Sequence, residues 1–232
     1  MQLVREYLQD FTALFFPDLC TACGKNLFKH ERVICTDCIY HLPYTNFHQD
    51  SENRVAKQLW GRFSFVQASA FVYFQKGNKV QNMMHQLKYN KRPETGFRLG
   101  ELYAHDLKRT DQWQIPDLII PVPLHPKKKI KRGYNQSEFI ANGLSSVLEV
   151  PVSANTLIRA SDTATQTKKS RFSRFENMQE AFSISHPELL IDKHILLVDD
   201  VITTGATLEA CSLVLLKLQK IRISIATIAF AE

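Results

Sequence analysis

The chain has 232 residues, 44% of them hydrophobic and 22% charged, with a formal net charge of +6. That composition is ordinary for a folded globular protein and argues against a disordered or fibrous chain, and the length allows one domain of moderate size plus a small appendage. No apolar run approaches the ~20 residues that a membrane-spanning helix needs, so no membrane insertion is expected, and a pI near 9.0 favours anionic partners, either phosphorylated small molecules or nucleic acid.

Leu3, Val4, Tyr7, Leu8, Phe11, Leu14 and Phe15 recur at helical spacing and predict an opening amphipathic helix that packs on the rest of the chain. Glu6 and Asp10 interrupt its apolar residues and no small-residue cleavage site follows, so it does not read as a secretory signal, and a cytoplasmic location is expected. Next come Cys20-x2-Cys23 and Cys35-x2-Cys38, with eleven residues between the pairs. Each pair is a short turn that can present two thiolates to one metal, and Gly24 supplies the conformational freedom such turns use. Four thiolates at this spacing suit a tetrahedral structural zinc (Zn2+), whose filled coordination shell leaves no place for metal catalysis. Disulfides are the weaker alternative without an export signal. Residues 46–65 read as a polar connector. The chain therefore divides into a helix and zinc module at 1–45, the connector, and a main domain at 66–232. Loss of zinc is expected to loosen residues 15–45 and spare the main domain.

Val66–Phe74 is rich in strand formers, and Val80, Met83, Met84 and Leu87 repeat as a helix with both methionines in the core. Asp117–Ile120 is a strand candidate. It runs into Pro121-Val122-Pro123-Leu124-His125-Pro126 and then a loop with five basic residues, Lys127, Lys128, Lys129, Lys131 and Arg132. That run is either a solvated surface or an attractor of phosphate or nucleic acid. Phe139, Ile140, Gly143, Leu144, Val147 and Leu148 form a helical stripe, and Thr156–Ile158 a short strand. The segment Gln166–Asn177 contains Lys168, Lys169, Arg171 and Arg174 and is long for a connection between strands, as lids over active sites often are. Ile195–Val198 is a buried strand, residues 206–218 a helix with Cys211 on its core stripe, and Arg222–Phe230 a last strand. This alternation predicts an α/β fold, a mainly parallel sheet with helices on both faces. In such sheets ligands bind beyond the strand C-termini.

The sharpest signal is Asp199-Asp200 at the end of a strand, followed by Val201-Ile202 and then Thr203-Thr204-Gly205-Ala206-Thr207 leading into a helix. A helix N-terminus offers unpaired N–H groups and partial positive charge to a phosphate. Three threonine hydroxyls add donors, and two vicinal carboxylates can accept from neighbouring sugar hydroxyls. A ribose 5-phosphate carries both kinds of group.

This segment resembles the phosphoribosyl pyrophosphate (PRPP) signature of type I phosphoribosyltransferases. The resemblance implies that Asp199 and Asp200 hold the ribose 2′- and 3′-hydroxyls and that Thr203, Thr204, Gly205, Ala206 and Thr207 cradle the 5′-phosphate. It also implies that the loop at Pro123, Leu124 and His125 meets pyrophosphate, and that Mg2+ accompanies PRPP. The wider set is more specific. The four-cysteine module, PVPLHPKK followed by RGYNQ, QT followed by R-x2-N-x3-AF, and VDDVITTGAT, in that order along almost the whole chain, are similar to the ComF family. Membership implies a phosphoribosyltransferase-like protein of DNA uptake and utilisation. Cys20, Cys23, Cys35 and Cys38 match the zinc positions, and Arg132, Arg174 and Asn177 match further family positions.

Two functions of different class follow. One is a PRPP-binding adaptor for incoming single-stranded DNA, with a helicase-type translocase as partner. Lys128, Lys131, Lys168, Lys169, Arg171 and Arg174, with Lys88, Lys91 and Arg92, would meet phosphates, and Tyr89 and Tyr134 would stack on bases. The other is an active transferase on an unassigned nitrogen acceptor. Enzymes salvaging 6-oxopurines usually place an acid where this chain has Thr203, which argues against hypoxanthine or guanine. A PRPP-sensing regulator is a third, weaker reading.

Overall fold

The computed structural model describes residues 17–159 and 181–231. The opening helix expected at 3–15 and the lid candidates Lys168, Lys169, Arg171, Arg174 and Asn177 lie outside the described residues. The elements in chain order are α1 (Thr36–Tyr40), α2 (Arg54–Leu59), β1 (Gln67–Phe74), α3 (Lys79–Tyr89), α4 (Glu94–Arg109), β2 (Leu118–Pro121), α5 (Pro126–Arg132), α6 (Gln136–Leu148), β3 (Leu157–Arg159), β4 (Phe182–Ile184), β5 (His194–Ile202), α7 (Ala206–Leu215) and β6 (Arg222–Ala231).

Four strands form a parallel sheet in the order β1-β6-β5-β2, and β3 and β4 pair as a separate antiparallel ribbon. Strands buried on both faces read as near-continuous apolar runs, as Ile195–Val198 and Ile223–Phe230 do. Alternation then divides β5 between two cores. Leu196 and Val198 meet Met83, Leu87, Leu99, Tyr103, Ile140 and Leu144 of α3, α4 and α6 on one face. Ile195 and Leu197 meet Val55, Leu59, Leu208, Cys211 and Leu215 of α2 and α7 on the other. The mainly parallel α/β sheet expected from the alternation is therefore present. Met83, Met84 and Cys211 are core residues.

The segment expected as a connector contributes to this core. Asn53 caps α2 by accepting from the amides of Val55 and Ala56, at 2.9 and 3.1 Å. Its Nδ2 donates to the Ala68 carbonyl of β1 at 2.7 Å. The basic run at 127–132, read as a loop, is a helix instead. Pro126 suits its first turn, the His125 ring accepts from the Lys127 amide at 3.2 Å, and Gly133 closes it at φ +89°.

Helices α4 and α6 approach with backbone nearly in contact. A Cβ on Gly143 would lie 2.0 Å from the Phe97 carbonyl oxygen, and one on Gly100 would lie 2.3 Å from the Ile140 carbonyl oxygen. Neither backbone can yield without separating the helices. Gly143→Ala is expected to cost about 3 kcal/mol, the upper end of overpacking penalties, as read by denaturant unfolding.

The cysteine module joins the first core. Cys20, Ala22, Ile34, Cys35, Cys38 and Leu42 pack in one cluster with Phe71, Val72, Val80 and Met83. Main-chain bonds tie it to β1, from Thr45 N to Phe71 O at 3.0 Å and from Tyr73 N to Pro43 O at 2.8 Å. No helix among the described residues is long and apolar enough to cross a membrane.

Candidate functional site

Strand β5 carries Asp199 and Asp200 to the C-terminal edge of the sheet, where Thr203 and Thr204 are exposed. Gly205 turns the chain at φ +74° into the N-terminus of α7. A side chain there would be strained, and its Cβ would also meet Leu59 Cδ2 at 2.8 Å and Arg62 Nη1 at 3.1 Å. The turn is braced from the former connector. Arg62 Nη1 donates to the Thr204 carbonyl at 2.5 Å and its Nε to Glu209 Oε2 at 2.9 Å, while Gln58 donates to the Thr203 carbonyl. Two of these bonds use backbone carbonyls of the turn and the third uses the Glu209 carboxylate. Thr203 and Thr204 are exposed, and the Thr204 hydroxyl accepts from the Ala206 amide of α7 at 3.4 Å; a helix N-terminus so placed is where a phosphate would bind.

Successive strand residues leave on opposite faces, and the two carboxylates have different partners. Asp199 Oδ1 accepts from Ser137 Oγ at 3.0 Å and from the Asp200 amide at 2.8 Å. Asp200 is buried and pairs through Oδ2 with Lys88 Nζ at 2.9 Å. Burial above all, and then the Asp200 charge, push the Asp199 carboxyl up to about 7, against the opposing pull of the Asp200 amide, Ser137 and Lys88. A carboxyl so placed takes up and releases a proton near neutrality.

The segment Arg132–Ser137 sits between the acid pair and α3, each residue with a structural task. The Arg132 guanidinium lies over the Tyr89 ring, 5.9 Å from its centroid, and donates to Gln136 Oε1. The Tyr134 hydroxyl donates to the Leu87 carbonyl. Asn135 Nδ2 donates to the Val122 carbonyl at 3.0 Å and its Oδ1 accepts from the Ser137 amide at 3.3 Å, fixing the loop after β2 to the start of α6. Beside them a cavity of 270 Å³ is lined by Lys88, Tyr89, Lys91, Lys128, Lys131 and Arg132, all cationic except Tyr89. Tyr89 is 68% exposed, with Arg132 over one face of its ring and the His85 ring 5.1 Å away, centroid to centroid. Pro123 and Leu124 instead line a 400 Å³ cavity with Asn135, Leu157, Ile158 and Arg159, under the β3–β4 ribbon. A larger cavity, of 520 Å³, is lined by none of these residues and includes His48, Asp106 and Arg109.

The structure therefore joins Asp199, Asp200 and the 203–207 turn on one edge, and gathers Lys128, Lys131 and Arg132 with Lys88 and Lys91. Sequence reasoning missed Ser137, Gln58, Arg62 and Glu209 as parts of the site. Ser137 directly follows RGYNQ and was the one within reach of a motif.

The four cysteine sulfurs lie within 4.8 Å of one another. Cys23 and Cys35 Sγ are 3.9 Å apart, close to the ~3.8 Å edge of a tetrahedron with metal–sulfur bonds of ~2.3 Å and far beyond an S–S bond. The Cys35 amide donates to Cys20 Sγ at 3.3 Å. The donor set fits a tetrahedral metal ion.

The chain is similar to known proteins along most of its length. The profile of the phosphoribosyl transferase domain matches residues 135–231. Competence protein F of Haemophilus influenzae is 33% identical over 214 residues, covering 88% of this chain and 93% of the relative. DNA utilization protein YhgH of Escherichia coli K12 is 30% identical over 203 residues, covering 86% of this chain and 84% of the relative. Among solved structures, glutamine PRPP amidotransferase from B. subtilis shows a distant likeness, 17% identical with a TM-score of 0.42 over 61% of this chain and 30% of that enzyme. The chain thus spans less than a third of that enzyme's length.

Proposed function

Because this chain belongs to the competence protein F (ComF) family, we propose that it is a PRPP-binding, phosphoribosyltransferase-like protein of DNA uptake, which handles incoming single-stranded DNA in the cytoplasm. The observation that carries the reading is the junction at Lys88, where the half-buried Asp199 and the buried Asp200 meet a cup of five cations. The two carboxylates would accept from the ribose diol, and the 203–207 turn would take the 5′-phosphate. Mg2+ would arrive with PRPP and supply charge neutralisation at its pyrophosphate. In the same reading the four-cysteine cluster holds zinc in a structural role, and a helicase-type translocase supplies the DNA strand.

The cup suits a nucleic-acid backbone because it sets five cations beside an exposed tyrosine. Single-stranded DNA affinity is therefore expected to fall steeply with salt. Lys128→Ala with Lys131→Ala should flatten the log–log slope by about 1.4, at ~0.7 per lost phosphate contact. Fluorescence anisotropy across a salt series measures it, and a slope unchanged in the double variant would remove the cup from the DNA interface.

A second reading is favoured by the same cations standing near the acid pair. In it the ribose C1–O bond to pyrophosphate breaks and a C1–N bond to the acceptor forms. Pyrophosphate leaves with the bonding electrons, its charge met by Lys88 and its neighbours, and the acceptor's proton passes to solvent. Pyrophosphate release from Mg2+–PRPP, assayed against a pool of nitrogen acceptors, separates the readings. Acceptor-dependent release makes the protein a transferase, and binding without release makes it an adaptor.

A further inference from the structure

Among the described residues one ammonium group reaches the acid pair, and its placement is set from far away in the chain. Lys88 lies in the last turn of α3, with its Nζ 2.9 Å from Asp200 Oδ2. That helix is held along its length. Near its start Asn82 Nδ2 donates to the Ala22 carbonyl at 3.0 Å, inside the Cys20–Cys23 turn, and Lys79 pairs with Asp37 of α1 at 3.5 Å. Val80, Met83, Met84 and Leu87 are buried between. At its end the Leu87 carbonyl accepts from Tyr134 and the Tyr89 ring lies beneath Arg132. Lys88 is thus delivered by a helix pinned at one end to the cysteine module and at the other to the RGYNQ segment.

We propose that Lys88 is a positioning residue of the PRPP site, holding the Asp200 carboxylate in one orientation and offsetting one of two adjacent negative charges so that both carboxylates can accept from the ribose diol. The inference rests on the PRPP reading of the site. Around the acid pair, α6 presents the neutral Ser137 hydroxyl, α7 the buried Cys211 thiol, and β3 contributes Arg159, whose charge acts on Cys211. The Lys88 charge acts on Asp199 directly, opposing the upward push of burial and of Asp200. Without Lys88 the pair would hold a proton to higher pH, and a protonated carboxyl offers the diol one acceptor fewer.

The test is calorimetric titration with Mg2+–PRPP of the intact protein, Lys88→Met and Lys88→Arg, at about pH 7 and about pH 8.5. Lys88→Met is expected to lose several-fold in affinity at the lower pH, because the acid pair then holds its proton past neutrality. The deficit should shrink at the higher pH, where both carboxylates ionise, and Lys88→Arg should restore most of it. Lys88→Gln gives the same reading if Lys88→Met does not fold. Wild-type affinity at both pH values, or a deficit equal at both, overturns the role of Lys88. Failure of the unaltered protein to bind PRPP at all would overturn the site reading itself.

Discussion

Asp199→Asn combined with Asp200→Asn is expected to abolish Mg2+-dependent PRPP binding. A hydrogen bond to a charged group is worth roughly 1.5–3 kcal/mol, so two carboxylates on one diol represent roughly 3–6 kcal/mol, or on the order of 10²–10⁴ in Kd. The double variant should stay folded. Asp199 has a carboxyl raised to about 7, chiefly by burial and then by the Asp200 charge. In the native state it therefore keeps its proton above the pH at which an unfolded chain releases it. Over that window the native state binds more protons, so stability falls as pH rises from about 4 towards about 7. Asn at 199 removes that cost. The same sign gives PRPP affinity that rises with pH through about 7, where the Asp199 carboxyl becomes a full acceptor. Isothermal titration, beside thermal unfolding of the same variant, checks both halves. Unchanged affinity in a folded double variant would remove the acid pair from the site.

Chelation of a metal held by the four cysteines is expected to lower the stability of the whole chain, not of its N-terminal part alone. Structural metal sites of this kind contribute about 10–16 kcal/mol of binding free energy that is also folding free energy. That is comparable with the total stability of a typical domain, about 5–15 kcal/mol. The sulfur cluster shares its core with β1 and α3 through Ala22, Ile34, Leu42, Phe71, Val72 and Met83. Asn82 is bonded to the Ala22 carbonyl inside the Cys20–Cys23 turn. Loss of the metal therefore opens one wall of the main core. A fall in Tm of more than about 10 °C is expected, in a single transition, together with weaker PRPP binding as α3 loosens. Scanning calorimetry with and without chelator measures it. An unchanged main transition, with faster hydrogen exchange confined to residues 17–45, would show the module to be energetically separate, as the sequence alone suggests.

What was legible in the sequence was local and continuous. Ile195–Val198, Asp199-Asp200 and the 203–207 turn form one uninterrupted stretch, and its strand–acid–turn–helix order is visible without any distant contact. The paired cysteines were legible for the same reason. Helix α4 was not, because its buried stripe intersperses Thr95, Gly96, Gly100 and Ala104 among Leu99, Tyr103 and Leu107. Close backbone packing against α6 replaced the large apolar side chains that reveal a helix. Helix α5 was hidden by its charge, since none of its residues is buried. The bracing of the turn is a contact between Arg62 and Glu209, 147 residues apart, and no local pattern announces it. Lys88 reads along the chain as one more surface cation, and only the course of α3 brings it to Asp200.

Direct titration of the unaltered protein with PRPP, with Mg2+ and then with excess chelator of Mg2+ too weak to strip thiolate-bound metal, tests the central claim. Saturable binding at one site per chain, lost when Mg2+ is withdrawn, is the result predicted from the acid pair and the phosphate turn. No binding, or binding indifferent to Mg2+, would contradict it.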